Sequence, residues 1–251
     1  VTTVSETYAR EIQASEVYGF GLEGVLRHRG ADVIGILNGV DYGVWSPSRD
    51  RRIPRQYHIK NLSGKRECRT VLVRESGLPL REKAPLIGMI TRLADQKGLD
   101  LLEASVEELF TLPIQMIVLG TGDAKYHELL SDWQRRFPDK LKVYLTFNDA
   151  LAHRIEAGAD LFLMPSRYEP CGLNQMYSLK YGTVPVVRRT GGLADTATTA
   201  ANGEPVDAVT LARIPGVAPP DSAIVEIRAT RYKDNQPVPG SGQRWIIRFG
   251  I

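Results

Sequence analysis

The sequence predicts an α/β domain with a doubly wound parallel sheet over residues 85–196. Five short apolar runs alternate there with four helix-like segments, so strand and helix succeed one another along the chain. The apolar runs lack the polar alternation of half-exposed strands, and such strands are typical of a parallel sheet covered on both faces. Right-handed crossovers between parallel strands then give a doubly wound arrangement.

Local patterns define each element of this domain. The predicted strands are residues 86–91, 114–119, 141–147, 161–164 and 184–187. The predicted helices are residues 99–109, 124–137, 150–157 and 173–181. Pro165 cannot donate to a sheet ladder and should end the fourth strand. Gly182 is well placed to cap the last helix at its C-terminus.

The segments on either side of this domain have a different pattern. Residues 1–11 indicate a short strand followed by a helix with Ser5 as its N-cap. Residues 34–37 indicate a small strand, and residues 59–76 a basic helix that is solvated. After Thr196 the α/β rhythm stops. Two alternating apolar and polar segments, at residues 223–230 and 243–249, then indicate a β-hairpin.

Composition and charge argue against several classes of function. The 251 residues are 43% hydrophobic and 24% charged, which supports a packed globular core. A formal net charge of +3 gives no reason to expect a nucleic acid or a membrane surface as partner. Cys68 and Cys171 lie far apart without CxxC spacing. That spacing argues against a disulfide framework or a structural zinc site and suits a reducing compartment.

Polar and glycine-rich turns follow all five predicted strands. Ligands of doubly wound sheets bind beyond the carboxyl ends of the strands, so these turns should meet at one edge of the sheet. Two cations, two glycine-rich turns and an acid at that edge favour a site for a nucleoside diphosphate. In chain order, the turns hold Thr91, Arg92 and Lys97; Gly120, Thr121, Gly122 and Asp123; Phe147, Asn148 and Asp149; Ser166, Arg167, Tyr168 and Glu169; and Thr190, Gly191, Gly192 and Leu193.

The turn at residues 166–172 has the most distinctive chemistry. It connects an apolar strand to a helix, and the free N–H groups of a first helical turn attract anions. Glu169 places an acid beside that helix start, which fits a phosphate-bearing ligand and a developing positive charge. On these residues alone, a plain surface loop with a solvated glutamate explains the turn equally well.

Simpler structural roles remain open for the other residues. Taken singly, Arg92 and Lys97 are surface charges, and Asp123 is a helix cap at the end of a GTGD turn. The sequence contains neither G-x-G-x-x-G nor G-x-x-x-x-G-K-[ST], which weakens a dehydrogenase or P-loop interpretation. Cys171 precedes a helix start without a partner histidine, and His153 lies within a predicted helix with a structural role.

Three segments carry distinctive motifs: GILNGVDYGVWSP at residues 35–47, ITRLADQKGLDLL at residues 90–102, and PSRYEPCGLNQMYSLKYGTVPVVRRTGGLADT at residues 165–196. They resemble the bacterial glycogen synthases and plant starch synthases, which are retaining GT-B glucosyltransferases using ADP-glucose. The resemblance implies a Rossmann-like donor domain. It also implies transfer of glucose from ADP-glucose to the non-reducing end of an α-1,4-glucan.

The same resemblance implies a role for each matching residue. The implied catalytic residues are Arg92 and Lys97, which neutralise the diphosphate leaving group, and Glu169, the acid beside the glucosyl centre. The implied nucleotide-sugar-binding residues are Gly120, Gly122, Asp123, Ser166, Tyr168, Cys171, Gly172, Leu173, Tyr177, Thr190, Gly191 and Gly192. It implies no metal and no cofactor, since ADP-glucose is the donor substrate. The α-1,4-glucan is the other expected partner, without nucleic acid or membrane.

The family pattern also divides the chain. Residues 1–54 are expected to be the remnant of an N-terminal acceptor domain with the interdomain crossing, and residues 55–84 a helical linker. Residues 85–196 are the expected nucleotide-sugar-binding domain, and residues 197–251 an atypical tail. The family's Lys-Thr-Gly-Gly-Leu loop does not occur in this sequence, so we expect the chain to be a fragment.

Three functional hypotheses follow from these observations. The first is part of a glucan synthase that uses ADP-glucose. The second is a catalytically silent module that binds a nucleotide sugar, and the third is a related GT-B enzyme such as a sucrose synthase. The expected location is the bacterial cytoplasm, or the plastid if the source is a plant.

Overall fold

The computed structural model describes residues 1–197 and, after them, the backbone of four short strands. The strands are β1 (Thr2–Thr3), β2 (Ile34–Gly35), β3 (Leu86–Ile90), β4 (Gln115–Leu119), β5 (Leu141–Tyr144), β6 (Leu161–Met164), β7 (Val184–Val187), β8 (Ile224–Ala229), β9 (Tyr232–Lys233), β10 (Gln236–Pro237) and β11 (Gln243–Arg248). The α-helices are α1 (Glu6–Ala14), α2 (Glu16–Gly19), α3 (Glu23–Arg29), α4 (Ser63–Glu75), α5 (Leu99–Glu103), α6 (Val106–Leu109), α7 (Ala124–Arg136), α8 (Asp149–Gly158), α9 (Asn174–Tyr181) and α10 (Gly191–Thr196).

Strands β3 to β7 form one parallel sheet in the order β5-β4-β3-β6-β7. This arrangement confirms the predicted doubly wound parallel fold. The chain moves outwards from β3 through β4 to β5 and then resumes beside β3 with β6. The strand order therefore reverses between β3 and β6, and a ligand crevice is expected at the carboxyl ends of those two strands.

Two apolar layers cover the faces of this sheet. On one face, β3 and β4 pack with α5, α6 and α7, and the buried side chains include Met89, Val118 and Leu130. On the other face, the strands pack with α4 and α8, where Leu72 and Ile155 are fully buried. Burial on both faces explains why the strands are almost continuously apolar in sequence.

Two predicted helices differ from the observed ones. The predicted helix at residues 99–109 is two short helices, α5 and α6. Between them the Ser105 hydroxyl donates to the carbonyl oxygens of Leu101 and Leu102, each at 3.3 Å, and such local bonds compete with continued helix. The solvated helix predicted at residues 59–76 begins only at Ser63 and is not solvated all round. It buries Cys68, Leu72 and Val73 against the domain.

The N-terminal segment folds against the end of the α/β domain. The Ser5 hydroxyl oxygen accepts a hydrogen bond from the Tyr8 backbone N–H at 3.0 Å, so the predicted N-cap of α1 is confirmed. Strand β1 pairs in parallel with β2, and α1 packs on α10. Much of residues 17–37 is apolar and exposed, and the exposed side chains there are Val17, Phe20, Leu22, Val25, Ile34, Ile36 and Leu37.

The tail is described only through its strands. Strand β8 pairs antiparallel with β11, and Ile224 lies opposite Arg248 in the register. The two alternating segments therefore pair as predicted, and the remainder of the expected atypical tail lies outside the described residues. Within the residues that the structure describes, no helix is both long enough and apolar enough to cross a membrane.

Candidate active site

The candidate site is a cleft of about 480 Å³ at the carboxyl ends of the sheet strands. It opens beside β3 and β6, where the strand order reverses. Seven of the implied site residues line it: Arg92, Lys97, Gly120, Ser166, Glu169, Gly172 and Leu173. With Thr146, Phe147 and Asn148 after β5, turns from four different strands meet in one cleft, as the sheet topology predicts.

A lysine and a glutamate form an ion pair at the centre of this cleft. Lys97 Nζ lies 2.6 Å from Glu169 Oε2, and the Ser166 hydroxyl donates to the same oxygen at 3.0 Å. The side chains of Lys97 and Glu169 are only 16% and 9% exposed. A buried carboxylate is costly unless its oxygens are paired, and these two donors satisfy Glu169 Oε2 at this depth.

A glycine brings the two halves of the ion pair together. Gly98 has a φ of +69°, and a Cβ there would overlap the carbonyl oxygen of Pro165. The turn after β3 therefore lies directly against the turn after β6, with Lys97 facing Glu169. Gln96 joins the same turns, because its carbonyl oxygen accepts from the Arg167 N–H at 2.8 Å.

Arg92 is the second cation of the cleft. It is exposed, and its guanidinium donates to Gln96 Oε1 at 3.1 Å. Gln96 in turn donates from Nε2 to the Tyr168 carbonyl oxygen at 3.2 Å. Arg92 therefore lines the cleft as an exposed cation bonded to a neutral amide, whereas Lys97 is paired with the carboxylate of Glu169.

The start of α9 forms one wall of the cleft. Gly172 has a φ of +73°, a left-handed conformation that favours glycine. Gln175 donates to the carbonyl oxygens of Cys171 and Gly172, and Asn174 donates to the carbonyl oxygen of Ile90 at the end of β3. These bonds fix the helix start beside the end of β3, with Gly172 and Leu173 lining the cleft.

The GTGD turn after β4 contributes mainly through Gly120. Gly120 lines the cleft, and a Cβ there would overlap the Thr91 carbonyl oxygen. Gly122 and Asp123 are exposed and do not line the cleft. The Gly122 N–H donates to His127 Nε2 at 3.2 Å, and the Asp123 N–H donates to the Leu93 carbonyl oxygen at 2.8 Å. The Asp123 side chain makes no cap bond to α7.

The remaining implied residues are not among those that line the cleft. Cys171 is buried, and Tyr168 packs edge-to-face against Phe20. The Thr190 hydroxyl and the Gly191 N–H donate to the carboxylate of Glu11, at 3.0 Å each. The Gly192 N–H donates to the Glu169 carbonyl oxygen at 3.0 Å. The structure therefore places the Thr190 to Gly192 turn under the Glu169 loop and outside the cleft lining.

Aromatic side chains that were not among the implied site residues also line the cleft. Trp45 is stacked between His153 and Tyr177, with ring centroids 3.7 and 4.0 Å apart. Phe147 stands at the cleft with 86% of its surface exposed. The sequence analysis placed the turn that holds Phe147 at this edge of the sheet. Trp45 occurred there only as part of the motif at residues 35–47.

His153 is structural, as the sequence predicted. Its Nδ1 lies 2.7 Å from Asp50 Oδ2, and the Tyr181 hydroxyl donates to the same oxygen at 2.6 Å. Burial alone would raise the pKa of Asp50, but these hydrogen bonds hold that pKa below its usual value. The pair fixes the segment that carries Trp45 against α8 and α9.

A second buried acid lies on α8, behind the cleft. Burial raises the pKa of Glu156 to about 8, and burial lowers the pKa of Lys65 to about 8. The Ser178 hydroxyl on α9 donates to Glu156 Oε2 at 2.7 Å. Among the described residues, Glu156 Oε1 has no hydrogen-bond partner. A protonated carboxyl group fits this environment better than a charged one.

Sequence comparisons match the chain to one protein family and to individual relatives. Residues 75–211 match the family described as glycosyl transferases group 1. The chain is 55% identical over 196 residues to a glycogen synthase of Anaeromyxobacter dehalogenans, covering 78% of this chain and 41% of that protein. It is 53% identical to a glycogen synthase of Thermosipho africanus, covering 78% of this chain and 40% of that protein.

Solved structures give the same fold. The catalytic domain of starch synthase IV from Arabidopsis thaliana, bound to ADP and acarbose, superposes with a TM-score of 0.74 at 37% identity. That match covers 80% of this chain and 42% of the other. Anabaena HepE in complex with UDP and glucose matches with a TM-score of 0.54 at 17% identity, over 83% of this chain and 49% of the other, which supports the fold alone.

A doubly wound parallel sheet with a charged cleft at its strand reversal agrees with the fold of the glycosyltransferase structures that the chain matches. The family match covers more than half of the chain, so the chain belongs to the group 1 glycosyl transferases. It spans about two fifths of the length of the curated relatives it matches.

Proposed function

We propose that this chain is the donor-binding part of a glucan synthase, which transfers glucose from ADP-glucose to the non-reducing end of an α-1,4-glucan. The observation that carries this proposal is the Lys97–Glu169–Ser166 cluster, buried in a cleft beside the start of α9. The identity to glycogen synthases and the likeness to a starch synthase solved with ADP support the choice of substrates. The bacterial origin of the relatives supports a bacterial cytoplasmic setting over a plastid.

The diphosphate fits the positive side of the cleft. Cleavage of a glycosyl phosphate leaves negative charge on the diphosphate, and fixed cations together with helix N–H groups stabilise that charge. Arg92, Lys97 and the backbone at Gly172 and Leu173 line the same space. These side chains supply the charge at the diphosphate, so the proposal requires no metal or cofactor.

The carboxylate of Glu169 is suited to the positive charge that develops on the sugar. As the bond to the diphosphate breaks, the sugar acquires oxocarbenium character, which a carboxylate stabilises in related glycoside chemistry. In the structure Lys97 holds Glu169. When a diphosphate binds Lys97, that cation is shared between two anions, and the carboxylate of Glu169 is freed to interact with the sugar. Transfer with retention of configuration is part of the proposal.

Phe147 fits the base of the nucleotide. Its exposed ring stands at the cleft beside Thr146 and Asn148, and an aromatic face of this kind stacks on a base without reading its identity. Adenine is therefore proposed from the relatives and not from this contact.

Calorimetry and a transfer assay together test the proposed function. We expect the chain to bind ADP more tightly than AMP, because Lys97 and the α9 start would bind the second phosphate. The proposed ADP-glucose donor also predicts tighter binding of ADP than of UDP. Transfer of labelled glucose from ADP-glucose to glycogen is measured for the chain alone. It is also measured for the chain joined to the preceding residues of the Anaeromyxobacter relative.

Each alternative has its own outcome in these assays. Binding of ADP without transfer in the joined protein would favour a catalytically silent module. Tighter binding of UDP would favour a related GT-B enzyme such as a sucrose synthase. Failure to bind any nucleoside diphosphate would refute the proposal.

A further inference from the structure

Glu11 of α1 is bonded to the turn that precedes α10. Its Oε1 accepts from the Thr190 hydroxyl at 3.0 Å and from the Gly191 N–H at 3.0 Å, and its Oε2 lies 3.1 Å from the same N–H. Thr190 and Gly191 are buried. The carboxylate therefore satisfies two buried donors that belong to a segment 180 residues away in sequence.

The other side of this turn lies against the backbone of the Glu169 loop. The Gly192 N–H donates to the carbonyl oxygens of Glu169 and Pro170, at 3.0 and 3.2 Å. A Cβ at Gly191 would overlap the Glu169 carbonyl oxygen, and a Cβ at Gly192 would overlap the backbone of Cys171. The turn is thus held between the carboxylate of Glu11 and the main chain that carries Glu169.

Helix α1 is itself anchored on α10, so Glu11 is not free to swing. The Thr7 N–H donates to Asp195 Oδ2 at 2.9 Å, and the Thr7 hydroxyl donates to the other oxygen at 2.5 Å. Each helix therefore supplies a carboxylate to the N-terminal end of the other. Ala9 and Ile12 bury the adjacent face of α1.

We propose that Glu11 is a positioning residue of the donor site, which sets the Glu169 loop through the Thr190 to Gly192 turn. This inference rests on the proposed function for its link to nucleotide binding. In this arrangement the Thr190 hydroxyl and the Gly191 N–H are already bonded to Glu11. The turn therefore acts on the nucleotide sugar through the backbone of Glu169.

Three substitutions of Glu11 separate contact from charge. Glu11→Gln keeps an oxygen at the position that accepts both donors but removes the charge. Glu11→Asp keeps the charge but shortens the side chain, so that it no longer reaches Gly191. Glu11→Ala removes both. Thr7→Val is the matched control, because it loosens the docking of α1 on Asp195 without touching the turn.

Two measurements on the chain test the proposal. The first is amide hydrogen exchange in peptides that cover residues 166–174 and residues 1–14, and the second is ADP affinity by calorimetry. For Glu11→Asp and Glu11→Ala we expect exchange at residues 166–174 to rise and ADP affinity to fall by roughly fivefold or more, the scale of one buried donor left unpaired. Glu11→Gln should stay close to the wild type in both measurements.

The control fixes how the results are interpreted. Thr7→Val should raise exchange only at residues 1–14. The proposal is overturned if Glu11→Ala raises exchange only in that N-terminal peptide, or if Glu11→Asp matches the wild type while Glu11→Gln does not. If the wild-type chain binds no ADP, the proposed function fails, while the exchange measurements still decide whether Glu11 positions the Glu169 loop.

Discussion

Replacement of Lys97 by methionine tests the ion pair at the centre of the cleft. The Lys97→Met side chain keeps a similar length and loses the ammonium group that lies 2.6 Å from Glu169 Oε2. Glu169 is then left with the Ser166 hydroxyl as its donor at 3.0 Å. Breaking one partner of a buried pair costs about 3–5 kcal/mol, and the 16% exposure of Lys97 favours the lower end, about 3 kcal/mol.

A double-mutant cycle isolates this interaction. Glu169→Gln removes the charge that Lys97→Met leaves unpaired, so the double variant should recover most of the stability lost in the single lysine variant. The free energy of unfolding is measured by chemical denaturation for all four proteins. Lys125→Met is the matched control, because Lys125 pairs with Asp95 at the exposed surface and should change stability little.

The same variants report on the ligand. Lys97→Met should weaken ADP binding on the order of tenfold or more, the value of one charge-assisted hydrogen bond. Glu169→Gln should not weaken it, because the lysine is then released from its internal partner. Additive stability effects together with unchanged ADP affinity in Lys97→Met would refute both the coupling and the role of Lys97.

Three further predictions concern turnover, pH and the base. In a protein with the acceptor part restored, Glu169→Gln should lower turnover by at least roughly a hundredfold with ADP affinity retained, and near-normal turnover would remove Glu169 from the catalytic residues. Because the folded-state pKa of Glu156 is raised to about 8, stability should fall as pH rises from about 4.5 to 8. In thermal unfolding scans across this pH range, Glu156→Gln should lose less stability than the wild type. An equal loss would contradict the raised pKa of Glu156. Phe147→Ala should weaken ADP binding by roughly fivefold or more with an unchanged melting temperature, since the ring is exposed, and equal affinity would exclude stacking.

Local sequence patterns were sufficient for the fold and for the location of the cleft. The fold is indicated by local signals of a few residues each, namely the short apolar strands, Pro165 after β6 and Gly182 after α9. Because ligands of doubly wound sheets bind beyond the carboxyl ends of the strands, the turns at those ends then indicate where the cleft lies. Helix α5 ended earlier than predicted because Ser105 bonds to the preceding turn, a competition that helix periodicity alone does not reveal.

The contacts inside the site could not be predicted in the same way. The hydrogen bond from Gly191 to Glu11 joins segments 180 residues apart, and the sequence of neither segment indicates that the two are in contact. The stacking of Trp45 on His153 likewise depends on how the segment before α4 crosses α8. Such pairs are set by tertiary packing, so a single sequence indicates the residue types and leaves their partners open.

The position of Trp45 provides an intrinsic optical signal for this protein. Its indole lies between the His153 and Tyr177 rings at interplanar angles of 10° and 3°, and Trp45 is one of the residues that line the cleft. Indole emission depends on the rings stacked against it and on the polarity of its surroundings. A nucleotide that enters the cleft should therefore change the fluorescence of Trp45, whereas Trp133 is buried in the opposite layer of the domain and should not respond. Because Trp133 and Trp245 also contribute to the emission, the part of the nucleotide-dependent signal that Trp45→Phe removes reports occupancy of the cleft.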